Sequence, residues 1–160
     1  AGLVHSIEEL VGRTPLMELD RFERQQQCGA HLLAKLEFFN PTGSVKTGLR
    51  FHDGVLPAYD VPESALSDYL RPDWSDACIN VRTEEAYETA HEVLRAEGLF
   101  LGTSAAAALH AAVQVGRRPE NQGKNIVVIV PDNGMKYLST PMTGRNDKNT
   151  MMRLNFEKIA

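Results

Sequence analysis

Apolar positions along the chain follow two spacings. Continuous apolar runs mark "HLLAKLEFF" (31–39) and "NIVVIV" (125–130) as buried strands, and the β-branched second run is typical of a parallel sheet. "GRTPLMEL" (12–19) reads as a turn into a short strand, and "ACINV" (77–81) and "LFL" (99–101) as two more. Helical spacing appears at Ala86, Ala90, Val93 and Leu94, between Thr83 as N-cap and Gly98 as terminator. "GTSAAAALHAAVQV" (102–115) predicts a second helix, opening on Ser104. "DRFERQQQCGA" (20–30) is a polar link or a short helix stopped by Gly29. From Gly48 to Asp76 the chain is loop-rich, punctuated by Pro57, Pro62 and Pro72. Strands alternating with helices predict an α/β fold.

Composition narrows the partners. The chain has 160 residues, 42% of them apolar and 24% charged, with a formal net charge of −4. A single domain of this size buries roughly 70% of its unfolded surface. No cluster of Lys and Arg offers a phosphate-backbone footprint, so a nucleic-acid partner is not expected. No apolar run approaches the roughly 20 residues of a membrane span, and no signal-peptide pattern opens the chain. Cys28 and Cys78 are too few for a disulfide framework and suit a cytoplasmic setting. The five histidines stand far apart, and CxxC and HExxH are absent, so no metal site is expected.

Candidate chemistry gathers at "KLEFFNPTGSVKTG" (35–48). Asn40-Pro41 ends the strand, since proline fixes its own φ and holds its predecessor extended. Lys46 follows a small, polar turn, just beyond the strand's carboxyl end, where α/β proteins bind ligands. From spacing alone such a lysine is solvated surface. Ser104 reads as an N-cap, and "PDNG" (131–134) as a turn placing Asp132 and Asn133 at the end of another strand.

Four stretches, "GRTPL" (12–16), "KLEFFNPTGSVK" (35–46), "EGLFLGTSAAAALHAA" (97–112) and "IVVIVPDNGMKYLST" (126–140), change this picture together. In this order they resemble the cysteine synthase/cystathionine β-synthase family of fold-type II (tryptophan-synthase-β-like) pyridoxal-phosphate enzymes. The resemblance implies a three-layer, mostly parallel α/β sheet, a homodimer, and pyridoxal 5'-phosphate as cofactor. It makes Lys46 the residue that holds the cofactor as a Schiff base and removes the substrate's α-proton. Ser104 becomes the hydrogen-bond partner of the pyridine nitrogen, a role compatible with capping. Asp132 and Asn133 either line the cofactor pocket or only form the turn. Arg13 stands where the family has asparagine; Thr14, Ala105 and Ala106 read as structural, Tyr137 and Ser139 as packing. The implied reaction is a β-replacement making L-cysteine from O-acetylserine and sulfide. A cystathionine β-synthase or another β-elimination enzyme is the near alternative, and a non-catalytic remnant that binds proteins the distant one.

The family's substrate-carboxylate loop and its glycine-threonine phosphate loop are absent. After Lys46, "TGLRFHDGVLPAYD" resembles a later family segment, so residues 46 and 47 read as two distant places joined, with the smaller mobile domain missing between them. This divides the chain into an opening hairpin and lysine turn (1–46), the carboxyl-terminal half of the larger domain (47–140), and a tail of no assigned role (141–160).

Overall fold

The computed structural model describes residues 3–41 and 79–143. Three strands form one sheet in the order β1 (Leu16–Glu18), β2 (His31–Leu36), β3 (Asn125–Val130). β1 and β2 pair antiparallel, with Met17 opposite Ala34, whereas β2 and β3 pair parallel, with Ala34 opposite Val128. The α/β class is therefore borne out. The sheet is mixed, because the antiparallel β1–β2 pair needs only the short link through α1 (Asp20–Gln25), while the parallel pair spans the long crossover containing α2 (Thr83–Glu97) and α3 (Thr103–Gly116).

Period-two alternation decides which face is covered. Leu32, Ala34 and Leu36 of β2, with Val128 and Val130 of β3, are buried. They share one core with Leu19, Phe22, Val93, Leu101 and Leu109. Alanines at 105, 106 and 112 give α3 a flat face that lies close on the sheet. The intervening strand residues point the other way: Leu16, Val127 and Ile129 are 52%, 55% and 44% exposed. Among the described residues the helices thus cover one face of the sheet, giving two layers where three are implied.

Local expectations meet mixed outcomes. Helix α2 ends at Gly98, whose φ of 70° is the left-handed cap that glycine accepts at no steric cost. Its N-cap is Arg82 rather than Thr83, and the Arg82 backbone N–H donates to Glu85 Oε2 at 2.8 Å. That bond, first among its causes, holds the Glu85 carboxyl below the usual range. "EFF" (37–39) leaves the strand as a 3-10 turn, since Glu37 turns inward to polar partners. "LFL" is no strand: Leu101 makes only an isolated bridge with Asn133. Residues 79–81 of "ACINV" carry no regular structure, and its first two residues lie outside the described chain.

Candidate cofactor site

The carboxyl end of β3 and the start of α3 are held together by main-chain bonds. Gly134 N donates to Phe100 O at 3.0 Å, and Gly102 N to Asp132 O at 3.4 Å, around the Leu101–Asn133 bridge. This places Gly102-Thr103-Ser104 beside Pro131-Asp132-Asn133, so two stretches far apart in sequence meet in one place.

Helix α3 opens without a side-chain cap. Its N-cap is Gly102, not Ser104, and Ser104 is the second helical residue, half-buried. Its hydroxyl makes no hydrogen bond among the described residues. The early N–H groups of a helix lack intrahelical acceptors, and with the macrodipole they favour an acceptor or anion there. Across from them, Asp132 Oδ2 accepts from the Tyr137 hydroxyl at 2.9 Å. Asp132 Oδ1 is buried without a hydrogen-bond partner. It packs so tightly that a Cβ on Gly102 would lie 2.0 Å from it and 2.8 Å from Tyr137 Cε2. Gly102→Ala is therefore expected to lower stability by about 1–3 kcal/mol through overpacking, read from urea melts. Tyr137, expected to be packing alone, is also a hydrogen-bond donor to the site. Asn133 Oδ1 accepts from Met135 N at 3.1 Å and starts the turn Gly134–Tyr137, so this oxygen has a structural task.

A second cluster stands at the carboxyl end of β2. Glu37 is 3% exposed, yet its carboxylate is fully engaged. Oε1 accepts from the Thr14 hydroxyl at 2.7 Å and Oε2 from Asn40 Nδ2 at 2.9 Å. Asn40 Oδ1 in turn accepts from Gly12 N at 3.0 Å, and Lys35 Nζ donates to Thr14 O at 2.5 Å. This network fastens "GRT" (12–14) to Asn40, the first residue of the turn leading to Lys46. Lys46 itself lies outside the described residues, so the structure does not place it relative to Ser104 or Asp132. Sequence reasoning assigned nothing to Glu37 and left Thr14 as structural. An acidic residue inside an apolar run was the available signal.

Pyridoxal phosphate fits what is present at one end. Ser104 offers an unengaged hydroxyl, Asp132 an unsatisfied buried oxygen, and α3 an uncapped start, which together suit a ring nitrogen or another polar group. Ser104→Ala is expected to change stability by no more than about 0.5 kcal/mol, because no cap is lost, while weakening cofactor binding. Thermal melts with a fluorescence titration of pyridoxal phosphate separate the two effects. A cleft of about 220 Å³ between α2 and α3, lined by Glu88, Thr89, Glu92, His110 and Arg117, is on a different part of the surface.

A family model described as "Pyridoxal-phosphate dependent enzyme" matches residues 57–132. A cysteine synthase of Buchnera aphidicola subsp. Schizaphis graminum is 40% identical over 74 residues, which is 46% of this chain and 23% of that protein. A cysteine synthase of Aquifex aeolicus is 31% identical over 118 residues, or 71% of this chain and 36% of its own length. The crystal structure of the cysteine synthase of Entamoeba histolytica aligns with a TM-score of 0.45 and 36% identity, over 50% of this chain and 24% of that one. The chain thus spans between about a fifth and a third of the curated relatives it matches, with shares of 21% to 36%. Among the described residues no helix is long and apolar enough to cross a membrane. In its motifs and in these matches, the chain is similar to the cysteine synthase family of pyridoxal-phosphate-dependent enzymes.

Proposed function

We propose that this chain contributes to a cysteine synthase, which makes L-cysteine from O-acetylserine and sulfide by β-replacement. The observation that carries the reading is the junction of α3 with the end of β3. There an unengaged serine hydroxyl and a buried carboxylate oxygen without a donor stand together in the stretches that carry the family motif. When bound, pyridoxal phosphate supplies the electron sink that makes the substrate's α-proton acidic and its β-substituent able to leave. The chain supplies the rest. Ser104 would meet the pyridine nitrogen as a neutral hydroxyl, Asp132 and Asn133 would line the same end, and Tyr137 fixes the Asp132 carboxylate through Oδ2. Lys46 would hold the cofactor covalently until the substrate's amine displaces it, and its freed Nζ would then take the Cα proton as general base. A cystathionine β-synthase shares this arrangement and differs in the nucleophile it admits.

The same reading places further chain, including the phosphate- and carboxylate-binding loops, between Lys46 and Thr47 of the working enzyme. A dianionic phosphate needs convergent backbone amides, and the apolar sheet face at Leu16, Val127 and Ile129 leaves room for a covering layer. The working protein is then about twice this size, cytoplasmic and homodimeric. Borohydride reduction of the purified protein, followed by peptide mapping, tests the cofactor lysine, with label expected on Lys46. Label on Lys35 or Lys136 overturns that assignment. Intact mass tests the insertion: a folded sample at 17.7 kDa lacking cofactor absorbance overturns the enzyme reading in favour of a non-catalytic binding domain.

A further inference from the structure

The turn that follows β3 is fixed at both ends. At its start Asn133 Oδ1 accepts from Met135 N at 3.1 Å. At its end the Tyr137 carbonyl accepts from Thr140 N at 2.9 Å and from the Thr140 hydroxyl at 2.6 Å. Between them Gly134 N is bonded to Phe100 O, and the Phe100 ring lies so close over Gly134 that no Cβ fits there. Tyr137 is thus held by its backbone, and its hydroxyl reaches back five residues to Asp132 Oδ2.

That bond settles which way the Asp132 carboxylate faces. With Oδ2 tied to Tyr137, Oδ1 is turned onto Gly102, where it is buried without a donor. A buried acceptor without a partner is costly, and a half-buried aspartate free to rotate would turn such an oxygen to water. The Tyr137 hydroxyl opposes that rotation, and the ring of the same residue meets Gly102 beside the carboxylate. A costly orientation kept by its own donor points to function rather than stability. Gly102 is the N-cap of α3, and its carbonyl accepts the first helical bond, from Ala106 N at 3.0 Å. Ser104 stands two residues on, within the same turn of helix, so the place of Gly102 fixes that of the serine hydroxyl.

We propose that Tyr137 is a positioning residue for the ring-binding end of the cofactor site. Its hydroxyl holds Asp132 against Gly102, and through Gly102 it sets the distance of the Ser104 hydroxyl from the pyridine nitrogen. The start of α3 is the positive end of its dipole, which favours a carboxylate in this place. The tyrosine hydroxyl selects the orientation of that carboxylate. Resting on the cofactor reading of Ser104, this gives Tyr137 a task beyond packing.

Tyr137→Phe tests this, because it removes the hydroxyl and leaves the ring against Gly102. Three quantities are measured on the purified full-length protein. They are the affinity of the apoprotein for pyridoxal phosphate, the absorption band of the bound cofactor, and the melting temperature of the apoprotein. Tyr137→Phe is expected to weaken binding about 2- to 10-fold, the worth of one hydrogen bond. It should also move the band in the direction in which Ser104→Ala moves it. In a Ser104→Ala background the tyrosine hydroxyl should become silent in both readouts, because no serine is left to place. Asp132→Ala should silence it likewise, whereas Asp132→Asn, which keeps an acceptor for the hydroxyl, should retain its effect. Unchanged affinity and band in Tyr137→Phe, with only a lower melting temperature, would make the residue packing alone and overturn the proposal. Losses that simply add in the double variants would overturn it too. A wild-type protein that binds no pyridoxal phosphate is a distinct outcome, which overturns the cofactor reading itself and the proposal with it.

Discussion

Replacing Lys46 with alanine is expected to remove β-replacement activity, by at least about 10²–10⁴-fold from the lost proton transfer alone. Loss of covalent attachment adds to this. The described fold should be kept, because the hydrogen bonds that fasten the end of β2 run among Gly12, Thr14, Glu37 and Asn40. Arginine at position 46 should not rescue, since a guanidinium neither gives up its proton in the working range nor serves as an imine-forming amine. A small primary amine added to Lys46→Ala should restore part of the turnover by accepting the proton in its place. The measurements are turnover of O-acetylserine with sulfide, and absorbance of the bound cofactor after gel filtration. Wild-type rates in Lys46→Ala would assign the base elsewhere and leave the motif a structural turn.

How much of this was legible in the sequence depended on whether the signal was local. Helices α2 and α3 announced themselves through apolar spacing and the Gly98 cap, both set within one turn of chain. Strands β2 and β3 were visible as apolar runs for the same reason. The helix starts were misplaced by one or two residues because Thr83 and Ser104 are good caps by type. The structure instead uses Arg82, whose backbone N–H meets Glu85, and Gly102, which must be small beside Asp132. "LFL" failed as a strand because its residues serve the core and one bridge, which apolar content cannot distinguish from a ladder. At the site, Ser104 and Asp132 were named from motifs, and the structure brings their stretches together. Glu37 was invisible because its partners are tertiary. A carboxylate in an apolar run looks like a surface residue until Thr14 and Asn40 are seen to meet it.

That buried carboxylate gives the largest stability effect expected in the described chain. Glu37→Ala removes the acceptor of the Thr14 hydroxyl and of Asn40 Nδ2, in residues 8% and 3% exposed. Each buried donor left unsatisfied costs about 1–3 kcal/mol, so a combined loss of about 2–6 kcal/mol is expected. Against the roughly 5–15 kcal/mol that holds a typical domain folded, this brings partial unfolding at moderate temperature within reach. Glu37→Gln should fall between the two, because its carbonyl keeps one acceptor while its amide group confronts another donor. Urea denaturation of Glu37→Ala, Thr14→Ala and the double variant measures the coupling, which should be favourable by about 0.5–3 kcal/mol for residues in one network. Additive losses would mean that Thr14 and Glu37 act separately. Stability close to wild type in Glu37→Ala would dismiss the network as an anchor. Where the variant remains folded, its cofactor should dissociate faster, because Asn40 then loses one of the three bonds by which its amide group holds the start of the lysine turn.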